Sequence, residues 1–140
     1  MPDDDELRAI YAGTKTIAVV GASSDPEKAA HTIPAYLQRS GYRIIPVSPK
    51  GGELFGEPVR TSLAEIDEPI DVVDVFRPAE ETPDIAREAI AAGAKVLWLQ
   101  AGISSDEAAE IARAGGLEVV MDMCMGVTHQ RLGLGPGPDA

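Results

Sequence analysis

The sequence predicts a single-domain α/β fold, a doubly wound parallel sheet of about five strands with helices on both faces. Short apolar runs rich in β-branched residues alternate with segments whose apolar residues recur every three or four positions. This alternation is typical of parallel sheets, because parallel strands need a crossover connection. The first run, residues 17–20, contains no polar residue, as expected for a strand that helices cover on both faces. A chain of 140 residues is long enough to bury one such core.

The first strand leads into a loop suited to binding an anion. Gly21 can adopt backbone angles that other residues avoid, and the small residues 22–24 let a ligand approach the main chain. Asp25 is a plausible N-cap, and Pro26 suits the first position of the following helix. The free amides and the positive dipole at such a helix start attract phosphate groups. A tight turn without a ligand is the alternative interpretation of this loop.

The remaining elements follow from the same patterns and from the turn residues between them. Pro46 in the second strand indicates a position where a missing amide is tolerated, such as the end of the strand. We expect the strands, numbered in chain order, to lie side by side in the order 3-2-1-4-5. Strands are predicted at residues 17–20, 42–47, 70–76, 95–99 and 117–121. Helices are predicted at residues 3–11, from Pro26 to Gly41, at 82–92, and from Ser104 or Ser105 to Gly115, with a single helical turn at 61–66.

Residues at the predicted strand ends are candidates for a ligand site, because open parallel sheets bind ligands outside their carboxyl edge. Lys50 follows the second strand and Arg77 follows the third, and both can contact phosphate groups. A solvated loop lysine is the alternative for Lys50. Core packing is the better expectation for the ring of Phe76. Asp71 and Asp74 are expected near a strand end or edge rather than in catalysis, since no histidine or second acid stands beside them.

The loop sequences also discriminate between nucleotide cofactors. A dinucleotide fold that binds NAD has Gly-x-Gly-x-x-Gly after the first strand and an acidic residue at the end of the second. Here Gly21 begins the sequence Gly-Ala-Ser-Ser-Asp-Pro, and the second strand ends in Val47-Ser48-Pro49-Lys50. Both parts of the NAD fingerprint are missing. The lysine at the position of the acid favours a ligand with an additional phosphate near its ribose.

Composition argues against several classes of partner. The formal net charge of -11 disfavours general nucleic-acid binding, which depends on lysines and arginines that neutralise phosphates. No apolar run approaches the roughly 20 residues that span a bilayer, and the N-terminus lacks the pattern of a secretion signal. The single Cys124 cannot form an internal disulfide, which fits a reducing compartment. We therefore expect a cytoplasmic protein that does not bind membranes.

The C-terminal segment holds Asp122, Cys124 and His129, residue types that can ligate a metal or form a nucleophile–base pair. A metal site is disfavoured, because the Cys-x4-His spacing offers two ligands and the sequence has no matching pair elsewhere. A catalytic Cys–His pair requires spatial proximity, which a sequence alone does not supply. We expect residues 1–135 to form the ligand-binding domain and residues 136–140 to be a disordered tail.

Three loops of the chain and their spacing resemble those of a known family. The segments are VGASSDPEKAAHTIPAYL, VSPKGGELFGEPVRTSLAEI and DVVDVFRPAEETP, followed by LWLQAGI. Over roughly residues 10–132 they are similar to the small stand-alone CoA-binding proteins, relatives of the CoA-binding domain in the alpha subunit of succinyl-CoA synthetase. The resemblance implies a Rossmann-like domain that holds the nucleotide end of CoA across the carboxyl edge of its sheet.

The resemblance also implies a role for each matching position. In this family the loops after the first three strands contact the phosphates, the adenosine part and the outer side of CoA. Carried over to this chain, the phosphates would be contacted by Gly21, Ala22, Ser23 and Ser24, with Lys28 nearby. The adenosine part would be lined by Val47, Ser48, Pro49 and Lys50, with Lys50 toward its 3′-phosphate. The ligand would be covered by Phe76, Arg77 and Pro78.

Two departures restrict what the resemblance implies. The phosphohistidine of the synthetase belongs to a second domain, which this chain lacks, so ligase chemistry is not implied. Many small relatives carry Asp-Arg-Cys and then Glu-His, where this chain has Asp122-Met123-Cys124 and Thr128-His129. We therefore expect non-catalytic binding of CoA or acyl-CoA, with a homodimer or an unknown protein partner left open. The alternatives are an enzyme that uses Cys124 or His129 on a CoA thioester or disulfide, and an NAD(P)-binding domain.

Overall fold

Five parallel strands form one sheet in a computed structural model of the chain, which describes residues 2–136. The strands are short, and helices connect most of them, as the alternating apolar patterns predict. The predicted fold class is confirmed. In chain order the elements are α1 (Asp4–Ala12), β1 (Thr16–Val20), α2 (Ala29–Arg39), β2 (Arg43–Val47), β3 (Glu53–Leu54), β4 (Glu57–Pro58), β5 (Val72–Val75), α3 (Thr82–Ala91), β6 (Val96–Leu99), α4 (Asp106–Ala114), β7 (Glu118–Val120) and α5 (Met125–Arg131), with 3-10 turns at Leu63–Glu65 and Ala79–Glu81.

The order of the parallel strands is β2-β1-β5-β6-β7, so the predicted order 3-2-1-4-5 is wrong. Strand β5 pairs with β1 on the side opposite to β2, with Ile17 beside Val72 and Val20 beside Val75. Strand β2 is therefore at the edge of the sheet. Pro46 explains this placement, because it lies opposite Val19 inside β2, and a proline within a strand is tolerated at a sheet edge. The chain order reverses between β1 and β5, where doubly wound sheets bind ligands.

The sheet separates two apolar layers. On one face, α3 and α4 pack through alanines and isoleucines against Val73, Val75 and Leu97. On the other face, α1, α2 and α5 cover Ile17, Val19 and Trp98. Both faces of β1 are thus buried, as its uninterrupted apolar sequence indicates.

Three local features differ from the sequence-based expectations. Helix α2 begins at Ala29, because residues 25–28 form a turn in which the Asp25 carboxylate accepts a hydrogen bond from the Glu27 amide. Asp25 is therefore not the N-cap of α2, and Pro26 is not its first residue. The β3–β4 hairpin and helix α5 were not predicted. Within residues 2–136, no helix is long and apolar enough to cross a membrane. Most of the predicted tail, residues 137–140, lies outside the described residues.

Candidate functional site

The carboxyl ends of β1, β2 and β5 enclose a cavity of about 580 Å³, which we call the main cavity. Its volume is in the range typical of small-molecule sites. All the residues predicted to bind the ligand line this cavity, except Phe76 and Pro78. They are Gly21, Ala22, Ser23, Ser24, Lys28, Val47, Ser48, Pro49, Lys50 and Arg77.

Gly21 joins the three strands at the base of the main cavity. Its amide donates to the Val47 carbonyl over 2.9 Å, which connects the ends of β1 and β2. Its φ of +89° lies in the left-handed region, and a Cβ atom built there would be 2.7 Å from the Phe76 carbonyl oxygen. Because such an approach is too close for any real Cβ atom, this position requires glycine. The close passage of β1 past β5 shapes the base of the cavity.

The loop after Gly21 is held in place by hydrogen bonds to the start of α2. The Ser23 amide donates to the Ala30 carbonyl over 3.2 Å, and the Ser23 carbonyl oxygen is 2.7 Å from Nδ1 of His31. The Ser23 hydroxyl accepts from the Asp25 amide. With the loop held by these contacts, its small residues line the main cavity. No local pattern in the sequence indicated the supporting role of His31.

The loop after β2 brings Lys50 to the opposite wall of the main cavity. The Ser48 amide donates to the Arg60 carbonyl over 2.9 Å, and the Ser48 carbonyl accepts from the Gly51 amide over 3.2 Å. Ser48 is buried by these contacts, whereas Lys50 is exposed. Among residues 2–136, neither Lys50 nor Lys28 forms a salt bridge. Two lysine side chains without carboxylate partners therefore face the same space.

Arg77 differs from the two lysines because a carboxylate already holds it. Its Nη2 atom is 2.7 Å from Oε2 of Glu81, and its Nε donates to the other carboxylate oxygen over 3.1 Å. Hydrogen bonding to Glu81 raises the pKa of Arg77 and lowers that of Glu81. The Arg77 side chain is 46% exposed, so this surface pair is weak and its guanidinium can exchange partners.

The main cavity also contains residues that the sequence analysis missed. They lie in or beside the β3–β4 hairpin, the two 3-10 turns and helix α3. The sequence analysis did not connect these segments with the ends of the strands. Their chemistry is mixed, and three of them are acidic. They are Gly51, Gly52, Glu53, Leu54, Thr61, Ser62, Leu63, Glu81, Ile85 and Glu88, together with Val20 at the end of β1.

A second cavity of about 370 Å³ adjoins Arg77, and Phe76 and Pro78 line it instead of the main cavity. The two predicted residues therefore do not line the same cavity as the Gly21 loop, whereas Arg77 lines both cavities. Phe76 is half-buried and packs against the apolar layer under α2 and α5, in agreement with the expected core role of its ring. Because Arg77 lines both spaces, it lies at the boundary between them.

A buried polar pair lies beside the second cavity. Asp74 is fully buried inside β5 and accepts a hydrogen bond from Nε2 of Gln100, a residue that lines the cavity. Burial raises the pKa of Asp74 to about 7, although the Gln100 hydrogen bond opposes the shift. Asp74 is the penultimate residue of β5 and so lies near a strand end as expected, but β5 has a neighbour on each side and is not an edge strand. Asp71 precedes β5 and accepts from the Lys15 and Thr16 amides, as expected near a strand end.

Cys124 and His129 lie on the same helix segment but are not paired by a hydrogen bond. Nδ1 of His129 is 2.7 Å from the Tyr36 hydroxyl, and burial lowers the pKa of the imidazole. Cys124 instead lines the second cavity. A nucleophile–base pair therefore has no support in this geometry. In the described part of the chain, no group of three or more potential metal ligands occurs.

A doubly wound sheet with a cavity at its carboxyl edge places the chain in the class of α/β ligand-binding domains. The sequence model of the CoA-binding domain family matches residues 15–130. The chain belongs to this CoA-binding domain family. The predicted family resemblance is thereby confirmed.

Relatives of two kinds share this domain. The uncharacterized protein YneT of Bacillus subtilis strain 168 is 41% identical over 128 residues, which cover 91% of this chain and 95% of that protein. Acetate–CoA ligase (ADP-forming) I of Archaeoglobus fulgidus is 27% identical over 130 residues, which cover 86% of this chain but 19% of the ligase. A solved Thermus thermophilus structure has a TM-score of 0.90 and 44% identity, covering 94% of this chain and 99% of that one. The family thus includes small proteins and parts of larger ligases.

Proposed function

We propose that the protein binds CoA or an acyl-CoA without converting it, with the nucleotide end of the ligand in the main cavity. The observation that supports this most directly is the convergence of three separate loops on one space. Residues 21–24, 47–50 and Arg77 are distant in sequence, yet all line the main cavity. The family resemblance had assigned these same positions to the phosphates and the adenosine part of CoA.

The positions of two lysines in the main cavity favour a ligand that carries phosphate groups at two places. Lys28 lies beside the Gly21 loop and Lys50 lies beside the β2 loop, while the chain as a whole has a net charge of -11. Two lysines that form no salt bridge within residues 2–136 make this cavity locally positive in an acidic protein, which favours an anionic ligand there. Lys28 and Arg77 would attract the diphosphate, and Lys50 would attract the 3′-phosphate.

Binding without turnover agrees with the arrangement of the reactive side chains. Cys124 and His129 do not form a pair, and Tyr36 engages the imidazole. The chain spans about a fifth of the acetate–CoA ligases that it matches, so their activity gives no basis for assigning ligation to this chain. The matching segment is a small part of each ligase, and it covers most of the sequence of this chain.

Calorimetric titration with CoA, 3′-dephospho-CoA and NAD tests the proposal. We expect CoA to bind, 3′-dephospho-CoA to bind about tenfold more weakly because one charged contact is lost, and NAD to bind most weakly. CoA recovered after incubation should be unchanged, and Cys124→Ser should retain the affinity. Equal affinity for CoA and NAD, or no binding of CoA at concentrations that saturate a known CoA-binding protein, would contradict the proposal.

A further inference from the structure

The second cavity has walls of different chemistry from those of the main cavity. Ala29 and Ala30 begin helix α2, Phe76 follows β5, and Ala101 and Ile103 follow β6. These side chains are apolar and have no hydrogen-bonding groups. Arg77 and Gln100 add polar groups at one part of this mainly apolar wall, and a polar group placed against the remaining part would lose its solvation without a hydrogen-bond partner. The space is therefore suited to an aliphatic group.

Gln100 supplies a polar group in this apolar space. Only 4% of the residue is exposed, and its carboxamide is fixed at both ends. Its Nε2 atom donates to Asp74, and its Oε1 atom accepts from the Met125 amide over 3.4 Å. A carboxamide nitrogen has two hydrogens, and Asp74 is the one recorded acceptor for this nitrogen among residues 2–136. The second N–H of this nitrogen has no protein acceptor in the described part of the chain, and Gln100 lines the second cavity.

We propose, on the basis of the proposed CoA binding, that the second cavity holds the acyl-thioester end of a short-chain acyl-CoA. A thioester combines one carbonyl acceptor with an aliphatic chain, which matches one free N–H group and apolar walls. Arg77 borders both cavities, so a ligand whose phosphates lie in the main cavity can extend past this side chain into the second. The volume of about 370 Å³ accommodates an acyl group of a few carbons.

The test compares four ligands by titration: adenosine 3′,5′-bisphosphate, CoA, acetyl-CoA and butyryl-CoA. We expect butyryl-CoA to bind more tightly than acetyl-CoA, by about fourfold for each buried methylene. Ala101→Phe places a ring at an exposed position on the wall of the second cavity. It should lower the affinity for butyryl-CoA at least tenfold and leave that for the bisphosphate unchanged. Ala114→Phe adds the same ring at an exposed site outside both cavities and should change neither affinity.

Each result separates this inference from the proposed function. If CoA and the bisphosphate bind but butyryl-CoA binds no better than CoA, the second cavity does not hold the acyl group. The same conclusion follows if Ala101→Phe weakens all four ligands equally. If none of the four ligands binds, both this inference and the proposed function are wrong. Gln100→Leu provides a second variant and should weaken acetyl-CoA more than CoA, provided that its circular dichroism spectrum matches that of the natural protein.

Discussion

Gly21 shows how strongly one residue constrains the main cavity. Its φ of +89° and the short distance to the Phe76 carbonyl oxygen mean that two requirements exclude a side chain at this position. One is the backbone conformation, and the other is the space between β1 and β5. Because β5 could not approach β1 as closely around a methyl group, the cavity between their ends depends on this glycine.

Gly21→Ala should therefore lower both stability and ligand affinity. Gly116→Ala is a matched control, because Gly116 has the same φ of +89° but nothing within 4 Å of an added Cβ. Both variants should lose about 1–2 kcal/mol in the free energy of unfolding, because alanine is strained at a positive φ. Gly21→Ala should lose about 1–3 kcal/mol more through overpacking. Urea denaturation measures the difference, and equal losses in the two variants would show that the close contact has no energetic effect.

If the proposed CoA binding is correct, Glu81 competes with a phosphate of the ligand for Arg77. Glu81→Gln should free the guanidinium and raise the affinity for CoA about two- to fivefold, the range expected for a surface ion pair. Glu88→Gln removes the same charge from the main cavity, and Glu88 forms no salt bridge within residues 2–136. A larger gain for Glu81→Gln than for Glu88→Gln, measured by titration at fixed ionic strength, supports exchange of partners at Arg77. Equal gains would indicate a general charge effect.

At the scale of elements, the sequence predicted best where one local signal decided the structure. Residues 17–20 predicted β1 because an uninterrupted apolar run has few alternatives. The start of α4 was predicted at Ser104 or Ser105, and Ser105 is the N-cap, since its hydroxyl accepts from the Ala108 amide. The predicted order of the strands was wrong because it depends on pairing between distant segments. Pro46 was expected at a position such as the end of its strand, and it lies within an edge strand. Helix α5 was missed, since its seven residues lack a capping hydrogen bond and depend on packing.

Contacts from other elements hold α5 in place, and Tyr11 on α1 makes one of them. The Tyr11 hydroxyl donates to the Met125 carbonyl over 2.5 Å. Tyr11→Phe should lower the free energy of unfolding by about 1 kcal/mol, because a buried carbonyl loses its donor. Tyr42→Phe is the control, since the Tyr42 hydroxyl has no recorded partner in the described part of the chain. If both variants unfold at the same urea concentration, the Tyr11 hydrogen bond does not stabilise α5.

For the whole molecule, the lining of the main cavity was predicted more completely than that of the second cavity. The residues at the strand ends were identified because all parallel strands end at one edge of the sheet. The second cavity could not be predicted, because it forms where α2, β5, β6 and the start of α5 meet. The complete burial of Asp74 was not predicted for the same reason. Its sequence neighbours give no sign of Gln100, which is 26 residues away and is its hydrogen-bond partner.

Asp74 should make the stability of the whole protein depend on pH. Its pKa rises from 3.8 to about 7 on folding, so between these values the folded state binds a proton that the unfolded state has released. The free energy of unfolding therefore decreases as pH rises from about 4 to 7. Asp74→Asn removes this contribution, and its stability relative to the natural protein should increase over the same interval by on the order of 3 kcal/mol. Denaturation at several pH values measures this difference.

Asp71→Asn is the matched control with the opposite sign. Burial opposes the shift, but hydrogen bonds from the Thr16 and Lys15 amides and from Lys95 lower the pKa of Asp71. The natural aspartate therefore stabilises the protein above its unfolded pKa, and this advantage is lost as pH falls. A pH-independent difference between Asp74→Asn and the natural protein would show that Asp74 has no raised pKa.

In the proposed function, the main cavity holds the nucleotide end of CoA with Lys50 at its 3′-phosphate. The most direct measurement is a cycle of four titrations, with CoA and 3′-dephospho-CoA on the natural protein and on Lys50→Gln. If the two groups interact, each single change should weaken binding about tenfold, and both together should weaken it little further. Lys28→Gln, which removes a charge beside the Gly21 loop, should weaken both ligands equally. Additive losses for Lys50→Gln and removal of the 3′-phosphate would contradict the claim.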